Sequence, residues 1–137
     1  MSNISAAQVK ELREKTGLGL MDCKKALEDA EGNMDKAIEE LRKTSGVKAS
    51  KKSGRSAADG LIAIKNIEDQ IFMIEVNCET DFVARDDSFV EFTSQTLKSF
   101  SENPEKTLQE LMDDGIEDNR EKIVQKLGEN LVVRRVA

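Results

Sequence analysis

Apolar residues recur at three- and four-residue steps through the first 44 positions, and the polar residues between them mark where helices begin and stop. Ile4 and Val9 stand as a hydrophobic staple around Ser5 and Gln8, whose Ser-x-x-Gln spacing is a capping box; Val9 and Leu12 then share one face. Gly17 and Gly19 close that helix in a short turning loop. Leu20, Cys23, Leu27 and Ala30 repeat at helical spacing up to Gly32, and Asn33 caps a third helix carrying Met34, Ala37, Ile38 and Leu41. The pattern predicts a three-helix bundle over residues 1–44.

From Thr44 to Ala58 the periodicity fades into small residues with four positive charges and no acid. This stretch reads as a linker or as an exposed basic extension of the third helix, and it is assigned as a basic linker over 45–58. Beyond it, GLIAIKNI and QIFMIEVNC are two β-rich runs separated by Glu68 and Asp69, the mark of an antiparallel hairpin with a loose turn. Phe72, Ile74, Val76 and Cys78 alternate onto one face. Phe89, Phe92, Leu97 and Phe100, with Thr93 and Thr96 between them, supply a helix to cover it.

Asn103 and Pro104 suit the N-cap and first position of another helix, with Leu108, Leu111 and Met112 as its stripe before Gly115. Ile123, Val124 and Leu127 mark a last helix stopped by Gly128, and Leu131–Val136 reads as a third strand. The expected fold class is therefore α+β: the bundle, then a core over 59–137 in which a small three-stranded antiparallel sheet packs on helices.

Composition narrows the function. The chain has 137 residues and no His, which removes the usual general base and the commonest zinc ligand; its only aromatics are five Phe. The formal net charge of −6 is uneven: residues 1–58 carry 12 basic against 9 acidic residues, and residues 59–137 carry 9 against 18. An acidic second part repels phosphates, so no direct nucleic-acid ligand is expected, although the basic stretch around Lys48, Lys51, Lys52 and Arg55 could touch RNA or an acidic surface. Cys23 and Cys78 show no metal-ligand spacing and read as two reduced, buried thiols without a disulfide. No run is long and apolar enough for a signal peptide or a membrane helix, so a cytoplasmic protein with no membrane contact is expected. No phosphate-binding glycine loop, cofactor site or metal site is evident, and an enzyme is the weakest of the function classes.

The passage VNCETDFVARDDSF is the most informative. Thr80 can cap a helix whose first turn then holds Asp81, Phe82 and Val83 at the end of a rigid hairpin. One reading makes Asp81 a favourable charge at the positive end of the helix and puts Phe82, seven residues before Phe89, on the same buried face. The other makes the pair an exposed acid-aromatic tip that meets a partner.

TGLGLMDCKKAL at 16–27, NCETDFVAR at 77–85 and GENLVVRRVA at 128–137 resemble three passages of the bacterial elongation factor Ts family, in the same order and at the same spacing. The resemblance implies an N-terminal bundle similar to a ubiquitin-associated domain, followed by the first half of the family's core. It further implies a guanine-nucleotide exchange factor that performs no covalent chemistry, whose partner is the translational GTPase elongation factor Tu. Carried over by motif, Thr80, Asp81, Phe82 and Val83 would meet the magnesium and phosphate site of that GTPase. Met21 and Lys24 would contact its nucleotide domain, and Leu127 and Gly128 would approach its phosphate-binding region.

Each of those residues also has an ordinary structural explanation. Lys24 beside Asp22 and Glu28 fits a solvated helix face, Met21 fits a core position or an exposed anchor, Leu127 fits the core, and Gly128 fits a helix C-cap. A second function class, a binding module using only its bundle, is kept open. The family continues past Arg134 and Arg135 into a second core half, which implies either a piece of a longer factor or a naturally short product with an apolar sheet face uncovered.

Overall fold

The structure is a computed structural model that describes residues 3–137. Its first helix, α1 (Ala6–Thr16), starts where the capping box places it: the Ser5 hydroxyl accepts the Gln8 N–H at 3.2 Å and the Gln8 side chain accepts the Ser5 N–H at 2.9 Å. Gly17 at φ 70° ends the helix in the left-handed conformation. Then follow α2 (Leu20–Asp29) and α3 (Met34–Lys52), the latter capped by Asn33 accepting the Lys36 N–H at 3.1 Å. Leu12, Cys23, Leu27, Ala37 and Leu41 form the buried centre of this bundle.

Of the two readings of the basic stretch, the helical one holds as far as Lys52, and that extension is not free on all sides. Ser45 and Ala49 are buried, and Ala49 belongs to the second hydrophobic cluster of the molecule. One helix therefore supplies residues to both cores. Small side chains on this face let α3 approach the last helix closely, and the basic groups are carried on its more open sides.

The sheet consists of β1 (Asp59–Ile67), β2 (Gln70–Cys78) and β3 (Val132–Val136), all antiparallel, with β2 in the middle. The hairpin turn is tight, not loose: Ile67 pairs directly with Gln70, and Glu68 takes φ 54° to make the bend. Charged residues at an exposed two-residue tip need no burial, so the ladder runs to its end. Phe72, Ile74, Val76 and Cys78 point inward as the alternation predicts, and α5 (Asp87–Glu102) covers them with Phe89, Phe92, Leu97 and Phe100. Phe72 meets Phe100 edge to face, ring centroids 5.6 Å apart. On the opposite face, Ile62, Ile64 and Ile71 are exposed.

The stretch after α5 corrects one expectation. Asn103 does not start a helix: its backbone N–H bonds the Phe100 carbonyl and its side-chain amide bonds the Ser99 carbonyl at 2.9 Å, so it closes α5. Thr107 is the N-cap of α6 (Leu108–Leu111), its hydroxyl accepting the Glu110 N–H at 3.2 Å. Two good caps lie four residues apart, and burial of Phe100 and Leu111 decides between them. A wide turn over Met112–Ile116, broken by Gly115 at φ 102°, leads into α7 (Glu117–Leu127). No helix among the described residues is long and apolar enough to cross a membrane.

Candidate partner-binding site

β2 leaves the ladder at Cys78, and two residues later Thr80 caps α4 (Asp81–Ala84), its hydroxyl accepting the Val83 N–H at 3.4 Å. Four residues make only one turn, too short to hold itself in water. The turn is held instead by its far side, where Val83 and Ala84 are buried in the core. Asp81 and Phe82 are consequently turned outward. Phe82 is 84% exposed, a large apolar ring left in water at the end of a hairpin. Asp81 is also exposed, with Arg85 Nη2 3.9 Å away, a distance and setting that bind it only weakly.

The chain just past the end of α7 is bonded to the start of this turn. Gly128 takes φ 75° and donates its N–H to the Val124 carbonyl at 2.8 Å, which is the glycine C-cap read from the sequence. Leu127 is half-buried and packs on the core. Directly after them, the Glu129 carboxylate reaches the Glu79 and Thr80 backbone, bringing the 80–83 turn and the 127–128 helix end together.

Met21 and Lys24 stand apart from that pair on α2. Met21 is 72% exposed, so the bundle core does not use it, and Lys24 is exposed with Glu28 at 4.0 Å. Asp22 between them is engaged elsewhere: it accepts the Gln125 side-chain amide at 3.3 Å and faces Lys48 Nζ at 3.7 Å. Gln125 also accepts the Ser45 hydroxyl. α7 is thus bonded to α2 through Gln125 and Asp22, and the residue just past its end, Glu129, is bonded to the start of the 80–83 turn.

Gln125 and Glu129 escaped sequence reasoning. Each acts on residues dozens of positions away, and no local spacing announces a carboxylate that bonds a backbone 49 residues earlier. Neither thiol is poised for chemistry. Burial, and next the charge of Glu129, push the Cys78 thiol up to about 11, and burial raises Cys23 as well.

A bundle joined by a shared helix to a sheet-and-helix core, with an exposed acid-aromatic turn, defines a mixed α+β protein of the kind expected. The family model described as Elongation factor TS matches residues 79–137, which include that turn. Curated relatives named elongation factor Ts are 55% identical in Marinobacter nauticus, over 99% of this chain and 48% of the relative, and 51% identical in Hahella chejuensis, over 100% and 49%. In Arthrospira platensis the figures are 48% identity over 100% of this chain and 59% of the relative. Over nearly its whole length the chain is similar to members of the elongation factor Ts family, and it spans about half the length of most of the relatives it matches.

Proposed function

We propose that the chain acts in translation elongation in the cytoplasm as a guanine-nucleotide exchange factor: it binds elongation factor Tu in its GDP form and promotes GDP release. The observation that carries this reading is Phe82, 84% exposed on a turn whose other side is anchored by Val83 and Ala84. A ring this exposed contributes little to its own fold. Burying it in a partner contributes roughly 1.5–3 kcal/mol, and because the turn is already formed, little ordering entropy is lost on docking.

A nucleotide held at nanomolar affinity corresponds to about 12 kcal/mol of binding free energy, much of it from phosphate and bridging magnesium contacts, so unaided release is slow. Any protein that prefers the nucleotide-free GTPase weakens GDP binding by the same factor through linkage. In this reading Phe82 wedges between packed side chains that support the GTPase's magnesium site, and Asp81 supplies a carboxylate to the groups so displaced. Thr80 and Val83 fix the wedge. Leu127 and Gly128 approach the phosphate loop, while Met21 and Lys24 meet the nucleotide domain from α2. No bond is made or broken in either protein.

The test is the rate at which labelled GDP leaves elongation factor Tu with and without the chain. Acceleration that rises with concentration supports exchange activity. Binding without any acceleration supports the second reading, a docking module that uses the bundle, for which the exposed Leu20 and Met21 are the favouring observation.

A further inference from the structure

Besides the buried Val83 and Ala84, the turn that carries Phe82 is held at its start by the carboxylate of Glu129. Glu129 Oε1 accepts the backbone N–H groups of Glu79 and Thr80 at 3.1 and 3.0 Å, and Oε2 accepts the Thr80 hydroxyl at 2.7 Å. With its proton given to Glu129, the Thr80 oxygen is left to accept the Val83 N–H and so begin α4. The clasp is reciprocal. Glu79 Oε1 accepts the Asn130 N–H at 2.7 Å and faces Arg55 at 3.5 Å, while the buried Asn130 side chain donates to the Arg55 carbonyl at 2.9 Å.

Bonds to a charged acceptor are the strong class, and three of them converge where β2 has left the ladder and α4 has yet to begin. Neither sheet nor helix fixes the backbone there. We propose that Glu129 is a positioning residue for nucleotide release: it sets the direction in which Asp81 and Phe82 project and ties that direction to the end of α7. Two contact regions are then presented to the GTPase as one rigid surface. Without the carboxylate the Glu79 and Thr80 N–H groups turn to water, and Phe82 samples several directions and must be ordered again on each encounter. The proposal rests on the exchange reading of Phe82.

Amide hydrogen exchange and GDP release together test it, using Glu129→Ala and Glu129→Gln. In Glu129→Ala the Glu79 and Thr80 amides should exchange at least about tenfold faster while those of α5 and β2 stay protected. Glu129→Gln, whose amide oxygen accepts the same two N–H groups, should restore most of that protection. GDP release should slow in Glu129→Ala, recover in part in Glu129→Gln, and show no further loss when Glu129→Ala is added to Phe82→Ala. Unchanged protection of Glu79 and Thr80 in Glu129→Ala would overturn the proposal, as would equal slowing on both backgrounds. Wild-type release by Phe82→Ala alone would remove the exchange reading, and the clasp would then be decided by the amide data.

Discussion

Phe82 and Phe89 stand seven residues apart, two helical turns in a continuous helix, yet Phe82 is 84% exposed and Phe89 is 0% exposed. The helix is not continuous between them. α4 ends at Ala84, and Asp86 at φ −67°, ψ 136° starts α5 afresh, its side chain accepting the Ser88 N–H at 2.8 Å. The break resets the helical phase, so the two rings no longer share a face.

This relationship separates folding from docking. Phe89→Ala empties the centre of the second core and should cost about 3–5 kcal/mol, whereas Phe82→Ala should stay within about 0.5 kcal/mol of wild type. Urea unfolding of the two variants measures both. Similar losses would mean that Phe82 is part of the interior.

Gly60 is fixed by its neighbours. It adopts φ 146°, and a methyl group there would sit 2.1 Å from the Val76 carbonyl oxygen and 2.7 Å from Asn77 Cα. Both obstacles are backbone of the paired strand and cannot rotate away. Gly60→Ala should therefore destabilise the protein by on the order of 3 kcal/mol in the same unfolding experiment.

Glu121 gives a pH-dependent prediction at the contact between α3 and α7. It faces the Gly46 backbone; burial, with Glu117 and Asp118 beside it, raises its pKa, and Arg120 and Arg42 only partly offset this. The folded state therefore binds this proton more tightly than the unfolded chain. Its contribution to stability falls as pH rises from the ordinary carboxylate range through the raised value. Glu121→Gln should raise the melting temperature at pH 7, and the gain should vanish once the solution is acidic enough to protonate Glu121 in both states. A lower melting temperature at pH 7 would contradict this account of the contact.

Cys78 should be inert in the native protein. With its thiol pushed up to about 11, only about one part in a thousand is thiolate at pH 8, and the group is buried with its Sγ 3.1 Å from the Thr80 carbonyl. A thiol reagent at pH 8 should label Cys78 only as fast as the protein opens, and denaturant should make labelling immediate. Rapid labelling of the native chain would show that the β2 end is open.

Local chemistry made most of the elements legible. Ser5 with Gln8, Asn33 and Thr80 all cap the helices they were assigned, because a cap needs only residues within three positions. Alternation in β2 and the Phe spacing in α5 fixed the buried faces for the same reason. What could not be read depended on partners far along the chain. Ser45 and Ala49 sit in a basic run and are buried only because α7 lies against them, and Asn103 competes with Thr107 for a cap that distant packing awards. At the site, the Phe82 tip was nameable from sequence, but its exposure followed from the break at Arg85 and Asp86. Glu129 gave no local signal at all.

The most direct measurement is the release of labelled GDP from elongation factor Tu by Phe82→Ala and Asp81→Ala, with circular dichroism and melting temperature recorded on the same samples. The account predicts release slowed about tenfold in Phe82→Ala, equivalent to about 1.4 kcal/mol, and slowed in Asp81→Ala, with both folds intact. Wild-type release rates from two folded variants would contradict it.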